Sequence, residues 1–379
     1  MAGLKGKQAS EFFLELQRAF LMDPQRNTEY ELKEDDGGLG VAMTISAAHD
    51  FSRLSSKTRS KIPSLPSKGE KTSLGVVRLK LLKKDGGLEL KTADTKFECD
   101  PRYQVFDNSS AELLAILCRR VVNYNHLRTL ARKALGLGDD TPFRIIPKDT
   151  LELRVIISSA GCDLGDIDVS GLKDLSYAFA TYSDRKVAEN KRTDFEGIEK
   201  WDTSHVENML GCFAGCVNFN KDISMWDFSK VKNASMMFAS CRKFNQDLSK
   251  WDTSSLEDIK GMFYRCDVFD QDLSSWDTSK VKDMSYAFYR ARSYSHDLSM
   301  WDTSSVKDDE NMFLECPIDA SKHPKLPSED FKIKYYEKYV AKKSSRTRRL
   351  DLRKKIIIAL AFIMVAMAFA LMSQQPPQG

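Results

Sequence analysis

The sequence predicts an α/β chain: a solenoid of short strand-plus-helix units, preceded by a small α+β domain and followed by one C-terminal transmembrane helix. Three observations carry that reading. All five tryptophans (Trp201, Trp226, Trp251, Trp276 and Trp301) stand 25 residues apart. Ahead of them, apolar residues alternate or recur at helical spacing without a longer period. Behind them, residues 356–372 are seventeen apolar residues without a break.

Residues 1–51 read as an N-terminal α+β segment. An amphipathic helix carrying Phe12, Phe13, Leu16, Phe20 and Leu21 precedes a short Gly-interrupted β segment. Residues 52–74 are rich in Ser, Lys and Pro, bury little, and read as a linker or long loop. Their alternation of Ser with Lys or Arg also suits basophilic phosphorylation, beside the plainer reading of a solvated linker. Residues 75–149 complete the front domain with a hairpin and a helix. The hairpin turns at Asp85-Gly86-Gly87. Ser109 with Glu112 makes a capping box for a helix running to Leu135 and ended by Gly136. Its apolar face is Leu113, Leu114, Leu117, Val121, Tyr124 and Leu130.

The array fills residues 150–317. Asp follows every Trp, Ser sits three places on, and Phe recurs at 213, 238, 263, 288 and 313. Cys recurs at 216, 241, 266 and 316, with Ala291 in the gap. A degenerate earlier copy, IDVSGLKDLSYAF, spans 167–179. Equal spacing with fixed apolar positions marks a solenoid, because one unit cannot hide its Trp, Phe and Leu while stacked copies bury one another's faces. Within a unit, Val281, Met284, Phe288 and Ala291 step by three, four and three, so 279–290 reads as a short helix, capped by Ser279 or Asp277. The stretch 271–275 reads as its strand. The last unit places Asp309 where others have Met209, Ile259 or Met284, a polar end to the stack.

This pattern resembles the BspA-like family of leucine-rich-repeat proteins, whose repeat runs close to W-D-x-S-x-V-x-x-M-x-x-M-F-x-x-C-x-x-F-N-Q-D-L-S. FNQDLSKWDTSSLEDIKGMFYRC at 244–266 matches it almost throughout, and PKDTLELRVIISSAGCDLGDIDVS looks like the family's lead-in. The resemblance implies a leucine-rich-repeat-like solenoid that serves as a binding scaffold, without catalytic residues. Such proteins occur in bacteria and protists as surface or interaction proteins. This chain departs from surface members in lacking an N-terminal apolar stretch of signal-peptide length.

Charge divides sharply along the chain. The net charge is +4, yet residues 331–355 hold eleven Lys or Arg against Glu337 and Asp351, a local +9. Residues 318–355 thus read as a basic juxtamembrane segment, 356–372 as the span and 373–379 as a short tail. A helix of seventeen residues reaches about 25 Å, slightly short of a ~30 Å hydrocarbon core. Arg346, Arg348, Arg349, Arg353, Lys354 and Lys355 flank it, favour a cytosolic array by the positive-inside rule, and suit anionic lipid headgroups. The expectation is a tail-anchored protein of the endoplasmic reticulum or mitochondrial outer membrane. Its bulk would be cytosolic, with no specific nucleic-acid partner.

Chemistry is sparse. The cysteine column reads as buried packing, since Ala291 takes the same slot, and no His or Cys spacing completes a zinc site. Asp after each Trp, and Asp222, Asp247, Asp272 and Asp297, read as turn residues rather than calcium ligands. The five histidines sit in unrelated contexts, and there is no phosphate loop or nucleophile elbow. No catalytic residue, cofactor or metal is assigned. The partner-binding candidates are Tyr264, Arg265, Tyr289 and Arg290, which recur at one free position of adjacent units. The reading is a non-enzymatic, tail-anchored scaffold or tether that engages protein partners through its repeats. The alternatives are a cell-surface adhesin with the array outside, and a regulator or enzyme whose activity lies in residues 1–149.

Overall fold

The computed structural model describes residues 27–35, 37–48, 71–99, 122–159, 162–181 and 192–327. One compact unit ends at Pro327, and a second begins at Ser328, outside the described residues. The front of the chain forms one sheet. Strands β1 (Asn27–Asp35), β2 (Gly38–Ala48), β3 (Lys71–Lys84) and β4 (Gly87–Lys91) follow one another antiparallel. β5 (Lys96–Cys99) pairs with the start of β3, and β6 (Phe143–Ile146) lies parallel to β4. The β3–β4 turn has Asp85 at φ 49° and Gly86 at φ 76°, the primed geometry whose twist suits a two-residue hairpin.

Period-two alternation selects the buried face. Leu39, Val41 and Met43 of β2, Val77, Leu79 and Leu81 of β3, and Leu88 and Leu90 of β4 are buried. Helix α1 (Tyr124–Ala134) lays Tyr124, Leu127 and Ala131 in the same core. The expected helix from 109 to Leu135 is not continuous: Asn123 is extended (φ −92°, ψ 97°), and its side chain caps α1 by accepting from the His126 amide at 3.0 Å, while Ser109 and Glu112 lie outside the described residues. A helix therefore starts at Tyr124, although Gly136, with φ 62°, ends it as expected. The expected linker also ends earlier, because β3 begins at Lys71. The amphipathic helix expected near residues 12–21, the linker up to residue 70, and Leu113, Leu114, Leu117 and Val121 lie outside the described residues.

Helix α2 (Thr150–Ile157), capped by Asp149 at 2.8 Å from the Glu152 amide, leads to the array. A parallel bridge from Ile145 to Ile167 passes the sheet on to it. Parallel bridges then step through Asp174, Asn208, Asn233, Asp258, Asp283 and Asp308, so the degenerate copy at 167–179 is a true first coil. Buried side chains continue as one cluster from Leu39 to Leu326.

Among the described residues the repeats from Trp201 on hold no α-helix, which overturns the strand-plus-helix unit and with it the α/β class. The front of the described residues is mainly sheet with two α-helices, and coils built of turns follow. The reason lies in the amides. Met209, Gly211, Phe213 and Gly215 donate across to Asn233, Ser235, Met237 and Ala239 of the next coil at 2.7–2.9 Å. The residues that follow Gly211, Phe213 and Gly215, namely Cys212, Ala214 and Cys216, donate three back within the coil. An α-helix needs every amide for a bond four back. Here alternate amides leave the coil, and the same alternation recurs in the following coils. The three-four-three apolar spacing is real, but a run of turns produces it. The expected strand at 271–275 is likewise irregular, with Asp272 accepting from the Ser274 amide at 2.9 Å.

Stacking buries what the period promised. Phe179, Phe213, Phe238, Phe263, Phe288 and Phe313 form a column with centroids 5.1–5.8 Å apart. Each indole N–H donates one coil back, as Trp276 does to the Leu248 carbonyl at 3.0 Å and Trp301 to Leu273 at 2.9 Å. Fully burying each aromatic contributes about 1.5–3 kcal/mol. Outside, Lys173, Glu207, Lys232, Glu257 and Lys282 form a column of alternating charge, with Lys232 2.7 Å from Glu207.

The membrane expectation is also corrected. Among the described residues no helix is long and apolar enough to cross a membrane. Residues 356–372, which fall short of a hydrocarbon core in length, lie outside the described residues with the flanking Arg346, Arg348, Arg349, Arg353, Lys354 and Lys355. The single-pass placement, and the organelle membranes inferred from it, are withdrawn.

Candidate binding surface

Two positions in each coil from Trp201 on have positive φ. Ten residues after Trp stand Gly211, Met236, Gly261, Tyr286 and Asn311, with φ between 55° and 59°. Fourteen residues after Trp stand Gly215, Ser240, Arg265, Arg290 and Glu315, with φ between 57° and 82°. Left-handed backbone at a non-glycine costs about 1–2 kcal/mol, so the coil-to-coil bonding and stacking must outweigh it. The first column alternates bulk with glycine for a steric reason. The Tyr177 ring lies over Gly211 and the Met236 sulfur over Gly261, where a Cβ would collide with them.

These turns raise an outer rib on each coil. Thirteen residues after Trp, Ala214 and Ala239 are buried with Ala180, and Met236 and Tyr264 pack over them. The column continues with Tyr264, Tyr289 and Leu314, the last 48% exposed. Tyr264 and Tyr289 stack at 4.9 Å, only 5° from parallel, and Tyr286 adds an inclined ring 5.8 Å from Tyr289. The Arg290 guanidinium stands 5.2 Å from the Tyr289 centroid. It also grips Glu315 with two bonds of 2.8 and 2.7 Å, which hold that carboxyl below its ordinary range.

The structure therefore brings Tyr264, Tyr289 and Arg290 together, and sets Arg265 in the same column as Arg290. It also revises their part in the fold. They are half-buried: Tyr264 covers the alanines, and Arg290 ties two coils together. Sequence reasoning missed Met236, Tyr286 and Leu314. The signal was the position ten after Trp, which switches between Gly and large residues as a left-handed site does.

The remaining columns are structural. The thiols of Cys216, Cys241 and Cys266 donate to the carbonyls of Phe179, Phe213 and Phe238 at 3.0–3.1 Å. Burial pushes Cys216 up to about 12 and Cys316 to about 11, far from thiolate reactivity. The slot thus accepts a weak donor as well as a small apolar group. Asp202, Asp227, Asp277 and Asp302 each accept the amide two residues on at 2.8–3.0 Å. Asp222, Asp247, Asp272 and Asp297 do the same at 2.8–2.9 Å. A third such column, Asn208, Asn233, Asp258, Asp283 and Asp308, was not anticipated. Among the described residues no group of three or more His, Cys, Asp or Glu is placed to hold a metal. A cleft beside the first coils is lined by Arg144, Asp166, Asp168, Lys200 and Asp202, but Arg144 closes on Asp168 at 2.9 Å.

A repeat family described as "Mycoplasma protein of unknown function, DUF285" matches residues 173–288 and again 257–322. No curated protein and no solved structure matches the chain significantly.

Proposed function

We propose that the array is a protein-interaction scaffold without covalent chemistry, and that its partner face is the outer rib carrying Tyr264, Arg265, Tyr289 and Arg290. The observation that carries this reading is the Tyr264–Tyr289 stack beside exposed Leu314, with the Arg290 guanidinium against the ring. Preordered tyrosine and arginine offer apolar area and directed hydrogen bonds at little further entropic cost. Such residues dominate interface hot spots. The resemblance to the BspA-like leucine-rich-repeat family supports a binding role.

The test is affinity capture with the four residues changed to Ala, beside a Tyr264→Phe/Tyr289→Phe control that keeps the stack. The quadruple variant is expected to lose array-dependent partners tenfold or more, roughly 1.4 kcal/mol. The control is expected to retain most binding. Equal capture by the quadruple variant and the parent would remove the rib from consideration.

A further inference from the structure

We infer that the open edge of the last coil, residues 307–315, binds an extended basic peptide of another protein through its backbone amides. Each earlier coil hands four alternate amides to the next: Met284, Tyr286, Phe288 and Arg290 donate to Asp308, Glu310, Met312 and Leu314 at 2.7–3.0 Å. The equivalent residues of the last coil are Asp309, Asn311, Phe313 and Glu315. Among the described residues, the amides of Asn311, Phe313 and Glu315 donate to no acceptor. Among the described residues the chain turns back over the stack on its other half alone. Leu298 donates to the Lys322 carbonyl at 2.9 Å, and the Thr303 hydroxyl donates to that of Lys325. The cap thus lies over the Trp301 side, leaving the rib side as an edge.

That edge selects its occupant. It presents amides to which a further coil would supply carbonyls, so two copies meeting about a two-fold axis would set donor against donor. An extended segment presents carbonyls at alternate residues and satisfies it, as in strand addition to a sheet edge. Charge selects further. Within residues 307–315 Asp309 is buried and Glu315 is held by Arg290, so the exposed Asp308 and Glu310 stand against Lys307, a net −1. On the same count, with Arg290 paired to Glu315, Asp283 balances Lys282 in the stretch one coil earlier. Asp308 and Glu310 are exposed, and Leu314 beside them adds apolar area. The core needs nothing more from the occupant, because His323 stacks on Phe313 at 4.3 Å. This inference stands apart from the proposed rib, whose four residues it does not use.

The test measures binding to the full chain of a synthetic peptide alternating Lys and Thr, with amide exchange followed residue by residue. Binding is expected to protect the Asn311, Phe313 and Glu315 amides. Asp308→Asn with Glu310→Gln, which keeps the local hydrogen-bonding groups, is expected to weaken binding about tenfold or more. A Glu/Thr peptide is expected not to bind. Binding that leaves the three amides unprotected, or that ignores the double substitution, would overturn the inference. So would self-association of the chain that protects those amides in the peptide's place.

Discussion

The front sheet and the repeat array share one hydrophobic core, yet they reach it by opposite routes. In the sheet, β2 and β3 pair residues such as Val41 and Leu79 across a long intervening segment, and each strand's partner is a different sequence. In the array from Trp201 on, residues meet their own counterparts 25 positions on, so Phe lies on Phe and indole beside indole. The sheet uses regular backbone and varied side chains. The array uses regular side chains to hold a backbone that would be strained alone, with two left-handed positions in nearly every coil. Local conformation is thus a weak guide to stability wherever translation supplies the contacts.

Core truncation should separate the two regions most clearly. Phe263→Ala removes a ring stacked on Phe238, Phe269 and Phe288, and should cost about 3–5 kcal/mol. Its enhanced amide exchange should spread along the coils on both sides. Leu81→Ala in β3 should cost about 2–5 kcal/mol, with exchange rising chiefly in the sheet. Equal spread from both sites would erase the distinction. Next in size, Trp276→Phe removes the N–H that reaches Leu248 and should cost about 1–3 kcal/mol in denaturant unfolding. No measurable loss would mean that the indole column is held by area alone.

The two regions should also differ in their response to pH. Asp166, where the sheet meets the array, is pushed up to about 6, burial outweighing the Arg128 guanidinium at 2.6 Å. A carboxyl with a raised folded value favours the fold when protonated. Its contribution is complete below about pH 4, the ordinary Asp value, and is lost as pH rises through about 6. The turn carboxylates have the opposite sign. Hydrogen bonds from the Ser204 and Ser279 side chains, then from their amides, hold Asp202 and Asp277 below the ordinary range. They stabilise above that range and lose their effect as pH falls through the lowered values. Asp166→Asn should therefore flatten the stability profile between pH ~4 and ~6 while leaving the acid limb unchanged. An unaltered slope would show that Asp166 titrates normally. Smallest of all, Ser240→Gly at φ 63° should raise stability by about 1 kcal/mol, read as a higher denaturant midpoint. A loss there would deny the left-handed strain.

Much of the array was legible because its information is periodic. The Trp, Phe and Cys columns, the Asp turns and the first degenerate coil follow from spacing alone. The helix assignment failed because Val281, Met284, Phe288 and Ala291 are spaced alike on a helix and on successive turns. Tyr286 and Arg290, lying between and beside them, give no sign of positive φ in their residue type. In the front domain, hairpin β3–β4 announced itself through Asp85-Gly86. The break at Asn123 was hidden within an apolar run that read as one helix. Tyr264 and Tyr289 could be paired by register, but their packing on Ala214 and Ala239 required the backbone path that makes the rib.

The claim that alternate amides cross between coils, in place of a helix in each, is tested most directly by residue-resolved NMR of backbone φ over residues 279–290 in the full chain. Left-handed φ is expected at Tyr286 and Arg290, with slow exchange at Met284, Tyr286, Phe288 and Arg290, whose amides reach the next coil. Continuous right-handed helical values from Ser279 to Arg290 would contradict the claim and restore the strand-plus-helix unit.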